Sequence, residues 1–438
     1  MPSDRPAEER PAYSQVAKRA ALWLLFLAPF FYLTYGTANW LASLRDDVGS
    51  IVYLWEFYIP FIAWTIVPYW SINLFYAGSL FFNDTPQGVN RLAGRYLTAQ
   101  VVAVACFIAF PLSASFVRPE TTGIPGFMFA VLGGFDKPFN QAPSLHIALT
   151  LIIWDHLRGR LPLPLRWIWH IWCFIIAASV LTTWQHHFID IPTGVLLGFF
   201  ALWLFPRDGE LPFAGFRLTG DPKARRLAGY YGLGAAVCLA GAVVSFSSTV
   251  GALILLWPAI ALAIVSFGYA GAGPKIFQKA VDGSQSFASR WLLLPYRIGA
   301  RLNAWAWTRK LPASVPVGGG VFLGRTPSRA ESAEFASVVD LTAEFPGPRR
   351  AGCRWLSVPM IDLLSPAETD LDRAAGLIEA ARQAGPVLVC CALGFQRSAG
   401  AVARWMIDTG RAPDRATVAA LLAKAGRPVH LHDADGHA

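Results

Sequence analysis

The sequence predicts two parts in series: a polytopic all-α membrane domain and, behind it, a smaller C-terminal α/β domain. Three observations carry this reading. Of 438 residues, 54% are apolar and 15% charged, with a mean hydropathy of +0.42, which is more apolar surface than a soluble core of this size can hide. Residues 1–309 hold 15 of the 17 Trp and a net charge of +8, whereas residues 310–438 carry 14 basic and 13 acidic groups and have an ordinary soluble composition. Beyond residue 320 the apolar residues fall in short strand-length runs that alternate with helical patterns.

Eight apolar runs of spanning character lie at 19–42, 51–82, 96–116, 143–157, 164–185, 190–205, 227–247 and 250–271, giving about 8 transmembrane helices. The first is too long and too aromatic for a cleavable signal. An even number of spans puts both termini on one side. The tail and the even-numbered loops hold 14 Lys and Arg, against only Arg45, Arg118 and Lys137 on the odd-numbered loops, so both termini are predicted to be cytoplasmic, at the inner membrane if the cell is bacterial. Because the basic residues form short clusters between apolar runs and not one continuous face, the charge excludes a nucleic-acid partner.

The chain therefore divides into a cytoplasmic tail (1–18), a membrane domain (19–271), a basic aromatic connector (272–317), an α/β domain (318–430) and a short tail (431–438). Trp291, Trp305 and Trp307 among Arg290, Arg297, Arg301 and Arg309 suit the connector either to an anionic leaflet or to an ordinary solvated helix. Pro312, Pro316 and Gly318 to Gly320 then punctuate the chain. In the α/β domain, strands are predicted at 321–323, 337–341, 355–358 and 387–390, with helices near 367–384 and from 398, in a largely parallel sheet.

Ionisable groups at membrane depth are expensive and so point to function. Arg118, His146, His186, His187 and Asp190 all fall at span ends on the non-cytoplasmic side. The i, i+4 spacing of His186 and Asp190 lets a carboxylate orient an imidazole nucleophile on a helix. Pro143-Ser144-Leu145-His146 opens a span, where free N–H groups favour an anion and His146 can protonate a leaving oxygen. Arg118 offers a forked donor to phosphate. His187 is a second choice as nucleophile, with Asp190 at i, i+3.

Arg118-Pro119, Pro143-Ser144-Leu145-His146 and Ser179-x6-His186-x3-Asp190 resemble the three-part signature of the type 2 phosphatidic acid phosphatase superfamily, over about residues 95–205. The resemblance implies a phosphohistidine mechanism without metal: His186 as nucleophile, Asp190 as its orienter, His146 as general acid, and Arg118, Ser144 and Ser179 holding phosphate. Pro111, Leu145 and Val180 stand where the signature has Lys, Gly and Arg, and Lys137 can supply a cation. These departures are closer to the inositol phosphorylceramide synthase branch, which implies transfer of a head group to an alcohol as an alternative to hydrolysis.

In the C-terminal domain, Cys391 follows a strand and precedes Ala392 to Gln396, Arg397, Ser398 and a helix. Such a loop wraps N–H groups, Gly394 among them, around an anion, and the helix N-terminus favours the thiolate. Arg397 can hold two phosphate oxygens and Ser398 can bond the sulfur. With Val321 to Arg325 and Val339 to Glu344, this region resembles the dual-specificity branch of the protein tyrosine phosphatase superfamily, a Cys-x5-Arg phosphatase type, over about residues 318–430. The resemblance implies a phosphocysteine intermediate and makes Asp362, 29 residues upstream of Cys391, the acid for the leaving oxygen. Cys390 replaces the usual His and could form a reversible, strained disulfide with Cys391.

The six Cys show no metal-ligand spacing, and no cofactor is predicted. The whole reads as a bifunctional membrane phosphatase. Its expected substrates are phospholipid or isoprenoid-type lipid phosphates outside, and a phospholipid, phosphoinositide or phosphoprotein monoester inside. One domain as a non-catalytic phosphate sensor, or a transporter with a regulatory tail, are the rival readings. Phosphate release should be unchanged by excess EDTA; a loss that a divalent cation restores would count against both mechanisms.

Overall fold

The computed structural model describes residues 13–245, 250–347, 352–426, 428–429 and 431, so Arg5 and Arg10 of the N-terminal tail and most of the C-terminal tail lie outside the described residues. The chain separates into two compact units, Met1–Gly209 with Ala242–Ile254, and Glu210–Gly241 with Leu255–Ala438.

The first unit is a helical bundle of α1 (Tyr13–Ser43), α2 (Ile66–Phe81), α3 (Pro86–Ala109), α4 (Gly123–Gly133), α5 (Leu145–Arg158), α6 (Leu163–Thr182) and α7 (Asp190–Leu204). Prolines and caps set these limits. Thr85 accepts the Gly88 N–H with Pro86 in the first turn of α3, and Ser144 accepts the Ile147 N–H at the start of α5. The run predicted at 51–82 is a helix only from Ile66, because residues 46–62 run irregularly with one 3₁₀ turn at Leu54–Tyr58. The run at 96–116 ends as a helix at Ala109, before Pro111, and α4 was not among the eight runs.

Five helices are long and apolar enough to cross a membrane among the described residues: α1, α3, α6, Pro222–Val244 and Ile254–Phe277. The sequence reading expected about eight spans, and these five meet that length and hydropathy. At 1.5 Å per residue, α2, α5 and α7 reach only about 21–24 Å, short of a hydrocarbon core of about 30 Å. Apolar composition alone could not distinguish a spanning helix from a shorter one.

The second unit holds most of α8 (Pro222–Val244) and of α9 (Val250–Phe267), continues through α10 (Phe287–Leu292) and α11 (Leu294–Thr308), and ends in the sheet domain. The strands are β1 (Ser314–Gly318), β2 (Val321–Arg325), β3 (Ser337–Thr342), β4 (Arg354–Met360) and β5 (Val387–Cys391), in the order β1-β2-β5-β3-β4. All pairings are parallel except β1 with β2. Helices α12 (Glu368–Arg382), α13 (Arg397–Asp408) and α14 (Arg415–Lys424) complete it. Val389, Cys391, Val402 and Trp405 share the larger apolar core, while Cys390 sits with Phe335, Val338 and Leu388 on the other face of the sheet. Adjacent strand residues point to opposite faces, so the Cys390–Cys391 disulfide raised by the sequence does not fit this geometry.

β1 and a hairpin before it arise inside the stretch the sequence assigns to the connector. Lys279 and Gln285 form an antiparallel bridge, and the Val281 carbonyl accepts the Ser357 N–H at 2.8 Å, beside β4. At the turn, Gly283 has φ +75° and lies so close to Trp355 that a Cβ would fall 2.2 Å from its ring. The Lys279 ammonium, fully buried, pairs with Asp340 at 2.5 Å and donates to the Thr342 carbonyl at 2.6 Å. Breaking such a pair leaves a buried charge and costs about 3–5 kcal/mol. Lys279→Met should therefore lower the thermal unfolding midpoint of the full chain, and Lys279→Met with Asp340→Asn should recover part of the loss; an unchanged midpoint in the single variant would contradict this account.

Candidate active sites

In the first unit, the turn before α7 brings the His186 and Asp190 side chains together. His186 Nδ1 lies 2.9 Å from Asp190 Oδ2, which also accepts the His187 N–H at 3.0 Å. Residues 183–189 are a turn and α7 begins at Asp190, so the i, i+4 contact is made by the turn and not by the helix expected from the spacing. The carboxylate at Nδ1 favours the tautomer with its proton there and leaves the Nε2 lone pair 3.4 Å from Ser144 Oγ. The Ser144 N–H donates to the Asp190 carbonyl at 3.1 Å, tying the start of α5 to the start of α7. Gly194 permits this approach, since a Cβ there would sit 2.5 Å from the Ser144 carbonyl oxygen.

His186 opens on a cavity of about 580 Å³ that Tyr35, Ser115, Arg118, Asp136 and Lys137 also line. Arg118 Nη1 is buried with no hydrogen-bond partner among the described residues, and its guanidinium lies 5.0 Å from the Phe129 ring centroid. A buried donor without a partner is costly, and an anion in the cavity would supply one.

Other predicted members are placed differently. His146 is half-buried in α5, stacked on Tyr69 with centroids 4.0 Å apart; it does not line the cavity, and its Nε2 has no partner among the described residues. Ser179 does not line the cavity either: its hydroxyl donates to the Ile176 carbonyl at 2.6 Å inside α6, so it is not positioned here as the phosphate ligand the motif implies. His187 is engaged at both nitrogens, with Glu56 Oε2 3.2 Å from Nδ1 and the Ser115 N–H donated to Nε2 at 3.1 Å. That removes the lone pair a nucleophile needs. Glu56, 131 residues away in sequence, escaped the sequence reading because nothing local marks it.

In the second unit, β5 delivers Cys391 to the carboxyl edge of the sheet and α13 begins at Arg397. Cys391 Sγ accepts the Gly394 N–H at 3.1 Å and the Ser398 O–H at 3.2 Å, so two donors are aimed at the sulfur. Arg397 is almost wholly buried. Its Nη1 and Nη2 donate to the two Glu344 oxygens at 2.9 and 2.7 Å, Nη1 also donates to the Met360 carbonyl, and Nη2 lies 2.9 Å from Asp362 Oδ1. Burial works to raise the Glu344 carboxyl, but the Arg397 charge and forked hydrogen bonds outweigh it and hold the group below its usual range. Asp362 is raised instead, by burial and by the neighbouring Glu344 carboxylate, against the opposing pull of Arg397. Burial also drives the Cys390 thiol well up, which leaves it a packing group. Glu344 was the missed member of this site, although its place just past the end of β3 was a usable signal.

Among the described residues no group of three or more His, Cys, Asp or Glu is arranged to hold a metal. No protein-family model and no curated protein matches the chain. The chain is similar to the solved structure of human DUSP28, with 26% identity and a TM-score of 0.24 over 28% of this chain and 86% of that one. It is also similar to Tk-PTP in its active form, with 22% identity and a TM-score of 0.24 over 27% of this chain and 88% of that one.

Because Glu344 holds a lower carboxyl pKa folded than unfolded, its contribution is present above the ordinary carboxylate value of about 4 and is lost as pH falls through the lower folded value. Glu344→Gln should flatten the acid limb of the Tm-against-pH curve; an acid limb identical to that of the unaltered protein would refute this.

Proposed function

We propose that the chain is a membrane-bound phosphatase whose C-terminal unit hydrolyses a phosphomonoester through a phosphocysteine. The observation that carries the proposal is the Cys391 sulfur under two hydrogen-bond donors, at the mouth of a helix whose first residue is the clamped Arg397. The Cys391 thiolate attacks phosphorus as the P–O bond to the leaving alcohol breaks, and the Asp362 carboxyl gives that oxygen its proton. Water then attacks the S–P bond, losing its proton to the Asp362 carboxylate, and the thiolate and phosphate separate. Loop N–H groups and Arg397 stabilise the charge on the phosphoryl oxygens in both steps. Glu344 is a positioning residue: it fixes the plane of the guanidinium before substrate arrives.

For the first unit we propose a second phosphoryl site, which the unpartnered Arg118 Nη1 in the cavity that His186 also lines supports. His186 attacks phosphorus, Asp190 stabilises the imidazolium that forms, and Arg118 and Lys137 hold the phosphate oxygens; His146 is the sequence-based candidate for the acid. Water or a lipid alcohol can resolve the phosphohistidine. With the even number of spans that the sequence reading expects, the charge pattern puts this site away from the cytoplasm and the thiolate site toward it.

Cys391→Ser and His186→Ala, compared on soluble and lipid phosphomonoesters, should each abolish a different part of phosphate release. If neither reduces it, both assignments fail. The acid must be protonated, so cysteine-dependent activity should fall as pH rises through the raised value of Asp362. Asp362→Asn should cost about 10²–10⁴-fold in kcat on a poor leaving group and erase that limb.

A further inference from the structure

Three tyrosines adjoin the thiolate site, and none comes from the sheet domain. Tyr269, just past α9, donates its hydroxyl to the Asp362 carbonyl at 3.1 Å. Tyr231 of α8 stacks on Tyr269 with centroids 5.3 Å apart and meets Tyr296 of α11 edge-on at 5.8 Å. The trio lies within electrostatic reach of Asp362 and Glu344. Asp362 in turn touches Arg397. The wall facing the acid loop is therefore built by two helices long and apolar enough to cross a membrane and by α11.

These elements also carry the marks of the headgroup layer. The first turns of α8 expose Lys223, Arg225 and Arg226, and Tyr231 lies five residues beyond Arg226, about 7–8 Å along the axis. That is the depth at which tyrosine anchors the boundary between headgroups and acyl chains. Helix α11 exposes Ile298, Leu302 and Trp305, at i, i+4 and i+7, flanked by Arg301, Arg309 and Lys310, as an interfacial helix does. Lys223 is close enough to act on the Asp362 carboxylate.

From this juxtaposition we infer that the thiolate site takes a phosphomonoester lipid resident in the facing leaflet, the buried Tyr269 holding the acid loop against the two apolar helices. This rests on the phosphocysteine reading proposed above. A lipid phosphate in that layer enters with its acyl chains still in hydrocarbon, whereas a phosphoprotein would have to thread its side chain between the domain and the headgroups.

The test uses the full chain carrying His186→Ala, which silences the other proposed site, reconstituted in phosphatidylcholine vesicles. Three probes are compared: phosphatidate in the same vesicles, a phosphotyrosine peptide and para-nitrophenyl phosphate, each with and without Cys391→Ser. The expected result is Cys391-dependent release from phosphatidate at least about tenfold above the peptide in kcat/KM. Tyr231→Phe and Tyr269→Phe should each narrow that ratio, by about threefold or more. Hydrolysis of the aryl phosphate or peptide with none of phosphatidate, or a peptide rate equal to the lipid rate, overturns the inference and leaves the phosphocysteine reading standing. No Cys391-dependent release from any probe removes that reading and this inference with it.

Discussion

A carboxylate taken out of water must be paired with a cation or with several hydrogen-bond donors, and four such carboxylates organise both units. Asp190 fixes His186, Glu56 fixes His187, Glu344 fixes Arg397 and Asp340 fixes Lys279. In each case the partner comes from a different segment or a tight turn, so the pairing determines which parts of the chain meet. Desolvation makes each arrangement close to all-or-none: a displaced partner leaves a buried charge and not merely a lost contact. Positioned nucleophiles and clamps gain their rigidity from this penalty.

The two candidate sites use that constraint differently. At Cys391 the anion cradle is complete without substrate, because the loop donors already face sulfur and Arg397 is held from behind by Glu344. In the helical unit the cradle is open: Arg118 has an unused donor and the cavity beside it is lined by Lys137 and His186. The first arrangement spends its binding groups on preorganisation, whereas the second leaves a donor to be satisfied by whatever anion enters.

Much of the sheet domain was legible because its signals are local. The strands expected at 321–323, 337–341, 355–358 and 387–390 lie within β2, β3, β4 and β5, and the helix expected from 398 begins one residue earlier, because short apolar runs and punctuation mark them. β1 was hidden because its Pro316 and Gly318 look like a boundary, and an antiparallel edge strand tolerates both. The helical unit was less legible. Hydropathy registers an apolar run whether it forms a spanning helix, a short one such as α2 or an irregular segment such as 46–62, and it misplaced those limits. Ser179 and His146 matched a motif by order, yet the Ser179 hydroxyl is bonded to the Ile176 carbonyl within α6, and the His146 ring stacks on Tyr69.

The sequence by itself determined where the chemistry-bearing groups lie along the chain: a Cys-x5-Arg loop behind a strand, a His and an Asp four residues apart, and charges clustered between apolar runs. These depend on neighbours within a few positions, which spacing reports directly. Only the tertiary structure decided which distant groups complete each site. Glu56 reaches His187 across 131 residues, Glu344 reaches Arg397 across 53, and Tyr269 reaches Asp362 across 93. Contacts of that separation are selected by the need to pair buried charge and polar surface once the helices and sheet have packed, and no local pattern encodes that outcome.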